Sequence, residues 1–308
     1  MRILVTGGSG MLGKSVVNAL TESARSDIIF FPPHAELNLL EYTNVCSFLR
    51  ENKIDSVIHC AALVGGIQAN IAKPFDYLNT NIRIDSNLIN AAMKEQVTNF
   101  LYMASSCMYP AITPQPMKET QILTGALEVT NEGYALAKIL GTKMVEAIGK
   151  KLNWRTLILS NMYGPGDKYD DHNSHLVAAI IKKVIEAKAT NAKQIKMWGT
   201  GNVRREFTFV NDVAEYISTI IFKLDKIPQV MNLGGGVDYS VKEYYSFVCE
   251  LALYEGEIIS DPSQPEGMLV KLMDSSIANQ NGWRQSTNIK DGIKLTIDDF
   301  MLIHQGMK

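Results

Sequence analysis

Short apolar runs alternate with longer amphipathic stretches along the first half of the chain. Ile3, Leu4, Val5 and Thr6 lead straight into a glycine-rich stretch at 7–13, and a helical pattern follows from 14 to about 21. Further apolar runs lie at 28–31, 56–61, 99–104 and 155–160, separated by helical patterns at 42–51, about 75–94 and 134 to about 151. Runs that are apolar throughout, without polar alternation, fit strands buried on both faces of a sheet. Their alternation with helices predicts an α/β fold over residues 1–160, a Rossmann-like doubly wound parallel sheet.

Beyond 160 the regularity weakens. Helical patterns are expected at 175–188, 211–222, 241–253 and 291–303, with short strands at 194–198, 205–210 and 231–234. Asn211 or Asp212 is the expected N-cap of the 211–222 helix, and 260–267 reads as a polar loop. No linker, repeat or low-complexity block separates the halves. Residues 161–308 are therefore expected to form a smaller α/β part, mainly for binding substrate, with the chain crossing between the two.

A chain of 308 residues with 46% hydrophobic positions can bury a full core. Its formal charge of −2, with no basic block, carries no footprint of nucleic-acid binding. No apolar run approaches the about 18 residues of a membrane span, and the first residues lack a signal peptide's apolar region. Cys46, Cys60, Cys107 and Cys249 are scattered without metal-ligand spacing. The expectation is a reduced, cytoplasmic protein with no metal site and no membrane partner.

The chemistry begins at Gly7, Gly10 and Gly13, a GxxGxxG pattern that Gly8, Gly10 and Gly13 also satisfy as GxGxxG. It follows a strand and opens a helix through Met11 and Leu12. There, glycines permit a tight turn and close approach of a pyrophosphate, and the helix N-terminus offers free N–H groups. An acid at the end of the second strand would mark NAD, and an arginine there NADP. The chain has Phe31, Pro32, Pro33 and His34 instead, so direct reading leaves that preference open.

Tyr134 and Lys138 stand one helical turn apart on one face. A cation beside a phenol favours the phenolate, so Tyr134 is expected to titrate nearer neutrality than a free phenol, whose pKa is about 10. Ser105 ends an apolar strand, at the sheet edge where ligands bind in open α/β folds. Its hydroxyl can hold a carbonyl oxygen that Tyr134 protonates, which points to carbonyl or alcohol chemistry with a nicotinamide cofactor.

Longer segments narrow the class. They are Ala61-Ala62-Leu63-Val64-Gly65-Gly66-Ile67, Ser105-Ser106-Cys107-Met108-Tyr109-Pro110, Gln115-Pro116-Met117 with Glu119, and Asn131 through Lys138. Asn161-Met162-Tyr163-Gly164-Pro165, Asn173-Ser174-His175, Trp198-Gly199-Thr200-Gly201, Arg205-Glu206-Phe207 and Pro265-Glu266-Gly267-Met268 with Lys271 and Asp274 continue the series. On these segments the chain resembles the extended short-chain dehydrogenases/reductases, and among them the GDP-L-fucose synthase family, over almost its whole length.

The resemblance implies an NADP(H)-dependent enzyme of two steps, with NAD(H) not excluded as its cofactor. Cys107 and His175 would epimerise C3 and C5 of a GDP-4-keto-6-deoxy sugar. Ser105, Tyr134 and Lys138 would then serve reduction at C4. It further implies Asn38, Leu39, Ala61, Ala62 and Asn81 beside the glycine loop around the cofactor, and Asn161, Lys183, Trp198, Arg205 and Lys271 around the substrate. A homodimer would form through the helices at 76–94 and 134–151. Lys183 stands where many members carry arginine; lysine keeps the charge and loses the forked contact, which leaves a related GDP-4-keto sugar, such as a 6-deoxyheptose, as an alternative. A redox-neutral NAD-dependent nucleotide-sugar 4-epimerase is a second alternative, opposed by Cys107, His175 and the Gly65-Gly66 pair. A non-catalytic dinucleotide-binding redox sensor is a third, opposed by the Tyr134/Lys138 pair.

Overall fold

A computed structural model describes residues 1–23, 25–149, 151–170, 174–263 and 267–304. Asn173, Pro265 and Glu266 of the sequence segments above lie outside the described residues. In chain order the first part comprises β1 (Arg2–Thr6), α1 (Met11–Glu22), β2 (Ile28–Phe30), α2 (Tyr42–Glu51), β3 (Ser56–His59), α3 (Ile67–Ala72), α4 (Pro74–Lys94), β4 (Asn99–Ser105), α5 (Glu132–Gly149) and β5 (Asn153–Leu159). There follow β6 (Asn161–Tyr163), α6 (Leu176–Ala189), β7 (Gln194–Trp198), β8 (Arg204–Phe209), α7 (Val210–Ile220), β9 (Val230–Leu233), β10 (Asp238–Ser240), α8 (Val241–Ala252), β11 (Glu257–Asp261), β12 (Val270–Lys271), α9 (Ser276–Gln280) and α10 (Ile289–Ile303).

The main sheet has six strands in the order β2-β1-β3-β4-β5-β9, and every neighbouring pair is parallel. Its strands are apolar throughout because both faces are covered. On one face Val45, Leu88, Ile89 and Ile139 of α2, α4 and α5 pack against Leu4, Val57 and Phe100. On the other, Val16, Leu20, Val213 and Ile217 of α1 and α7 pack against Ile3, Val5 and Ile58. Strand order reverses beside β1, with β2 on one side and β3 on the other, which opens a crevice at the carboxyl ends of β1 and β3. The sheet takes its last strand, β9, and its covering helix, α7, from beyond residue 160.

The remaining strands gather around β8, which pairs with β6, β10 and β12, while β7 and β11 form a separate parallel pair. A third apolar cluster, including Ile180, Val184, Tyr244, Val248 and Ile293 of α6, α8 and α10, backs this region. Glu206 of β8 ties it to the main sheet. Its carboxylate accepts from the Gly236 N–H at 2.7 Å and the Met273 N–H at 3.0 Å, and burial pushes it up to about 7.

Several local expectations are corrected. Neither Asn211 nor Asp212 caps α7; the cap is Phe209, and Asp212 lies inside the first turn. The Asp212 carboxylate accepts from the N–H and hydroxyl groups of both Ser286 and Thr287, so a distant loop claims the side chain. The segment at 260–267 is not wholly loop, because β11 runs in register with β7 as far as Asp261. Helix α3 has no apolar stripe to announce it; its one buried side chain, Asn70, donates to the carbonyls of Gly65 and Gly66.

Candidate active site

A cleft of about 1090 Å³ opens along the carboxyl ends of β1, β3, β4 and β5 and extends to α6, β8 and β12. The glycine loop forms one end. Gly7 has φ +70°, and a Cβ on it would lie 2.8 Å from the Ala61 nitrogen; a Cβ on Gly13 would lie 2.1 Å from the Gly7 carbonyl oxygen. These are backbone contacts that cannot relax, so only glycine permits this turn. Helix α1 starts at Gly10 without a side-chain cap, which leaves its first-turn N–H groups for a ligand. Met11, Leu12, Asn38, Leu39, Ala61 and Ala62 line the same end, with His34. This is a cradle that fits a dinucleotide pyrophosphate.

Asn81 alone of the expected cofactor residues does not line the cleft. It is fully buried, and its amide accepts from the Leu63 N–H at 2.8 Å while donating to the carbonyls of Leu63 and Tyr77. It reaches the cleft only through the Leu63 backbone that it pins.

Ser105, Tyr134 and Lys138 meet in the middle of the cleft. Gly133 lets the start of α5 press against α4, since a Cβ there would lie 2.8 Å from the Pro74 carbonyl. The electrostatics differ from expectation. Burial pushes the Tyr134 phenol up rather than down, the charges of Cys107 and Asp85 add to that, and a hydrogen bond with Ser105 opposes it. The Lys138 ammonium, 2% exposed, pairs instead with Asp85 at 3.6 Å and lies 4.6 Å from the centre of the Tyr102 ring. The spacing of Tyr134 and Lys138 revealed the cation and not the buried anion that balances it. Removing one partner of such a buried pair typically costs about 3–5 kcal/mol.

Cys107 sits in a short 3₁₀ turn after β4, where its N–H donates to Ser105 Oγ at 3.3 Å. Two donors converge on its sulphur: Asn131 Nδ2 at 3.3 Å and the Lys271 ammonium at 3.7 Å. Neither neighbour was foreseen for Cys107; Asn131 drew notice only as part of a motif, and Lys271 only as a substrate contact. His175, the N-cap of α6, lines the cleft too. It faces the buried Asp167 carboxyl, which burial raises and the charge of His175 opposes. The cleft thus joins a phenol and a hydroxyl that can polarise a carbonyl to a thiol and an imidazole that can carry protons.

Asn161, Lys183, Trp198, Arg205 and Lys271 also line the cleft. The Lys183 ammonium lies 5.2 Å from the centre of the Trp198 ring, which remains 45% exposed and offers a flat face. Lys271 and Arg205 are register partners on adjacent strands, so the two cations share one face of that sheet.

Fold and cleft together define a dinucleotide-binding enzyme with proton-transfer groups at the sheet's carboxyl edge. The chain belongs to the NAD dependent epimerase/dehydratase family, whose model matches residues 3–234. It is 39% identical over 305 residues to a GDP-L-colitose synthase of Yersinia pseudotuberculosis, covering 98% of each chain. A GDP-L-fucose synthase of Azorhizobium caulinodans is 40% identical over 297 residues, covering 96% of this chain and 95% of that one. Among solved structures, a GDP-mannoheptose C4 reductase from Campylobacter jejuni with NADP bound superimposes with a TM-score of 0.87 at 28% identity, covering 97% of this chain and 98% of that one.

Proposed function

We propose that the protein epimerises C3 and C5 of GDP-4-keto-6-deoxy-D-mannose and then reduces C4, using NADPH, to give GDP-L-fucose. The observation that carries this reading is the sharing of one cleft by Ser105 and Tyr134 with Cys107 and His175. Relatives named for GDP-L-fucose and GDP-L-colitose synthesis support the substrate class, and the NADP-bound heptose reductase supports the cofactor.

The protons on C3 and C5 are acidified by the neighbouring ketone. Cys107, whose sulphur lies 3.7 Å from the Lys271 ammonium, acts as the base that removes one of them. Ser105 and Tyr134 hold the ketone oxygen while it carries enolate charge. His175 returns a proton on the opposite face, which inverts the carbon. After both inversions Tyr134 gives its proton to the C4 oxygen. The Gly7–Gly13 loop with Asn38, Leu39, Ala61 and Ala62 would hold NADPH, which would supply the hydride for C4. Lys183 and Arg205 neutralise the diphosphate, Trp198 offers its face to the base, and Asn161 contacts the sugar.

A homodimer through α4 and α5 belongs to the same reading, supported by exposed Phe75, Met93, Leu136 and Leu140 on those helices. So does a cytoplasmic location, supported by four cysteines without disulfides. Among the described residues no helix is long and apolar enough to cross a membrane.

Mass spectrometry of products from candidate GDP-4-keto sugars, with NADPH and NADH in parallel, tests the assignment. The expected product is two hydrogens heavier than the substrate and forms with stoichiometric loss of reduced-nicotinamide absorbance. An isomer of unchanged mass, formed without that loss, would identify a redox-neutral epimerase.

A further inference from the structure

Asn131 closes a short turn at 129–131, and α5 begins at the next residue. An asparagine at the entry to a helix ordinarily spends its side-chain oxygen on free first-turn N–H groups. Asn131 does not. Its backbone N–H closes the turn on the Glu128 carbonyl at 3.1 Å. Its Oδ1 is buried and has no hydrogen-bond partner among the described residues. Its Nδ2 lies 3.3 Å from Cys107 Sγ, at the wall of the cleft. A buried acceptor left without a partner counts against the fold. The two-step chemistry uses the sulphur and leaves this amide, with its stranded oxygen, unexplained.

We propose that Asn131 is a positioning residue for epimerisation, its amide holding the Cys107 sulphur at the cleft and stabilising the negative charge that the sulphur carries as a base. The assignment rests on Cys107 being the base of the proposed function. Sulphur takes a proton from carbon only as the anion. A thiol is a weak hydrogen-bond acceptor, and a donor bonded to an anion is among the stronger hydrogen bonds. An N–H aimed at Sγ therefore favours the form that does the chemistry. The titratable groups facing the sulphur are the Lys271 ammonium of β12, at 3.7 Å, and the Tyr134 phenol of α5. Ser105 of β4 accepts from the Cys107 N–H and leaves the sulphur free. Lys271 supplies charge from the substrate side, whereas Asn131 stands three residues before Tyr134. One short segment thus places both the donor to the base and the phenol that serves reduction.

The test is the pH dependence of Cys107 alkylation by iodoacetamide in the ligand-free protein, read by mass spectrometry of the Cys107 peptide. In Asn131→Ala the midpoint should rise by about one pH unit, a tenfold change in the ionisation constant. Below that midpoint, exchange of the C3 and C5 protons of GDP-4-keto-6-deoxy-D-mannose with solvent deuterium should slow about tenfold, more than reduction slows. Asn131→Asp keeps the shape but replaces the donor with an acceptor, so its midpoint should rise at least as far. A purely structural Asn131 would slow both steps together and leave the midpoint in place, and that result overturns the proposal. Should Asn131→Ala not fold, Asn131→Asp decides by the same readout. Exchange surviving in Cys107→Ser would instead overturn the underlying function, an outcome separate from the alkylation midpoint.

Discussion

Tyr134→Phe should lower the rate of ketone reduction about 10²- to 10⁴-fold, the range typical of a lost general acid. The phenol is the proton donor closest in chemistry to what the C4 oxygen needs, and burial holds it in the donating form. Ser105 would remain to hold the oxygen, and Cys107 and His175 would be untouched. Proton exchange at C3 and C5 should therefore stay measurable while consumption of NADPH nearly stops. Reduced-nicotinamide absorbance and proton NMR of the sugar, followed on one sample, read both steps. Reduction within tenfold of wild type would remove Tyr134 from its role.

Cys107→Ser should produce the complementary defect. A serine hydroxyl fits the site but is far too weakly acidic to exist there as an alkoxide, so base catalysis is lost by about 10²- to 10⁴-fold. The donors around the sulphur, Asn131 at 3.3 Å and Lys271 at 3.7 Å, would still face a hydroxyl and leave its chemistry unchanged. Exchange of the ring protons with solvent deuterium should stop. The unepimerised ketone should still be reduced, through Ser105 and Tyr134, to a product with unaltered stereochemistry at C3 and C5. Exchange at the wild-type rate would assign the base elsewhere.

What was legible in the sequence follows from how locally each feature is encoded. The parallel sheet could be read because Ile3, Leu4, Val5, Val57 and Ile58 are apolar on both faces, a pattern internal to each strand. The glycine loop was legible for the same reason, since the steric demands at Gly7 and Gly13 arise within one turn and one neighbouring strand. The environment of the reactive groups was not local. Lys271 stands 164 positions from the cysteine it contacts. Asp85 comes from a different helix than Lys138, and burial, with smaller contributions from Cys107 and Asp85, reversed the expected direction for Tyr134. A signal did exist: His59 is an ionisable residue at the end of the buried strand β3, and such residues need a buried partner. Asp212 illustrates the opposite error, where a side chain suited to capping is drawn into a contact with Ser286 and Thr287.

The central claim is that one cleft performs both proton chemistry and reduction on one sugar. Turnover of GDP-4-keto-6-deoxy-D-mannose with unlabelled NADPH in deuterated water tests it most directly. The expected product carries one carbon-bound deuterium at C3 and one at C5, with protium at C4. A product reduced at C4 but without deuterium at C3 and C5 would contradict the account.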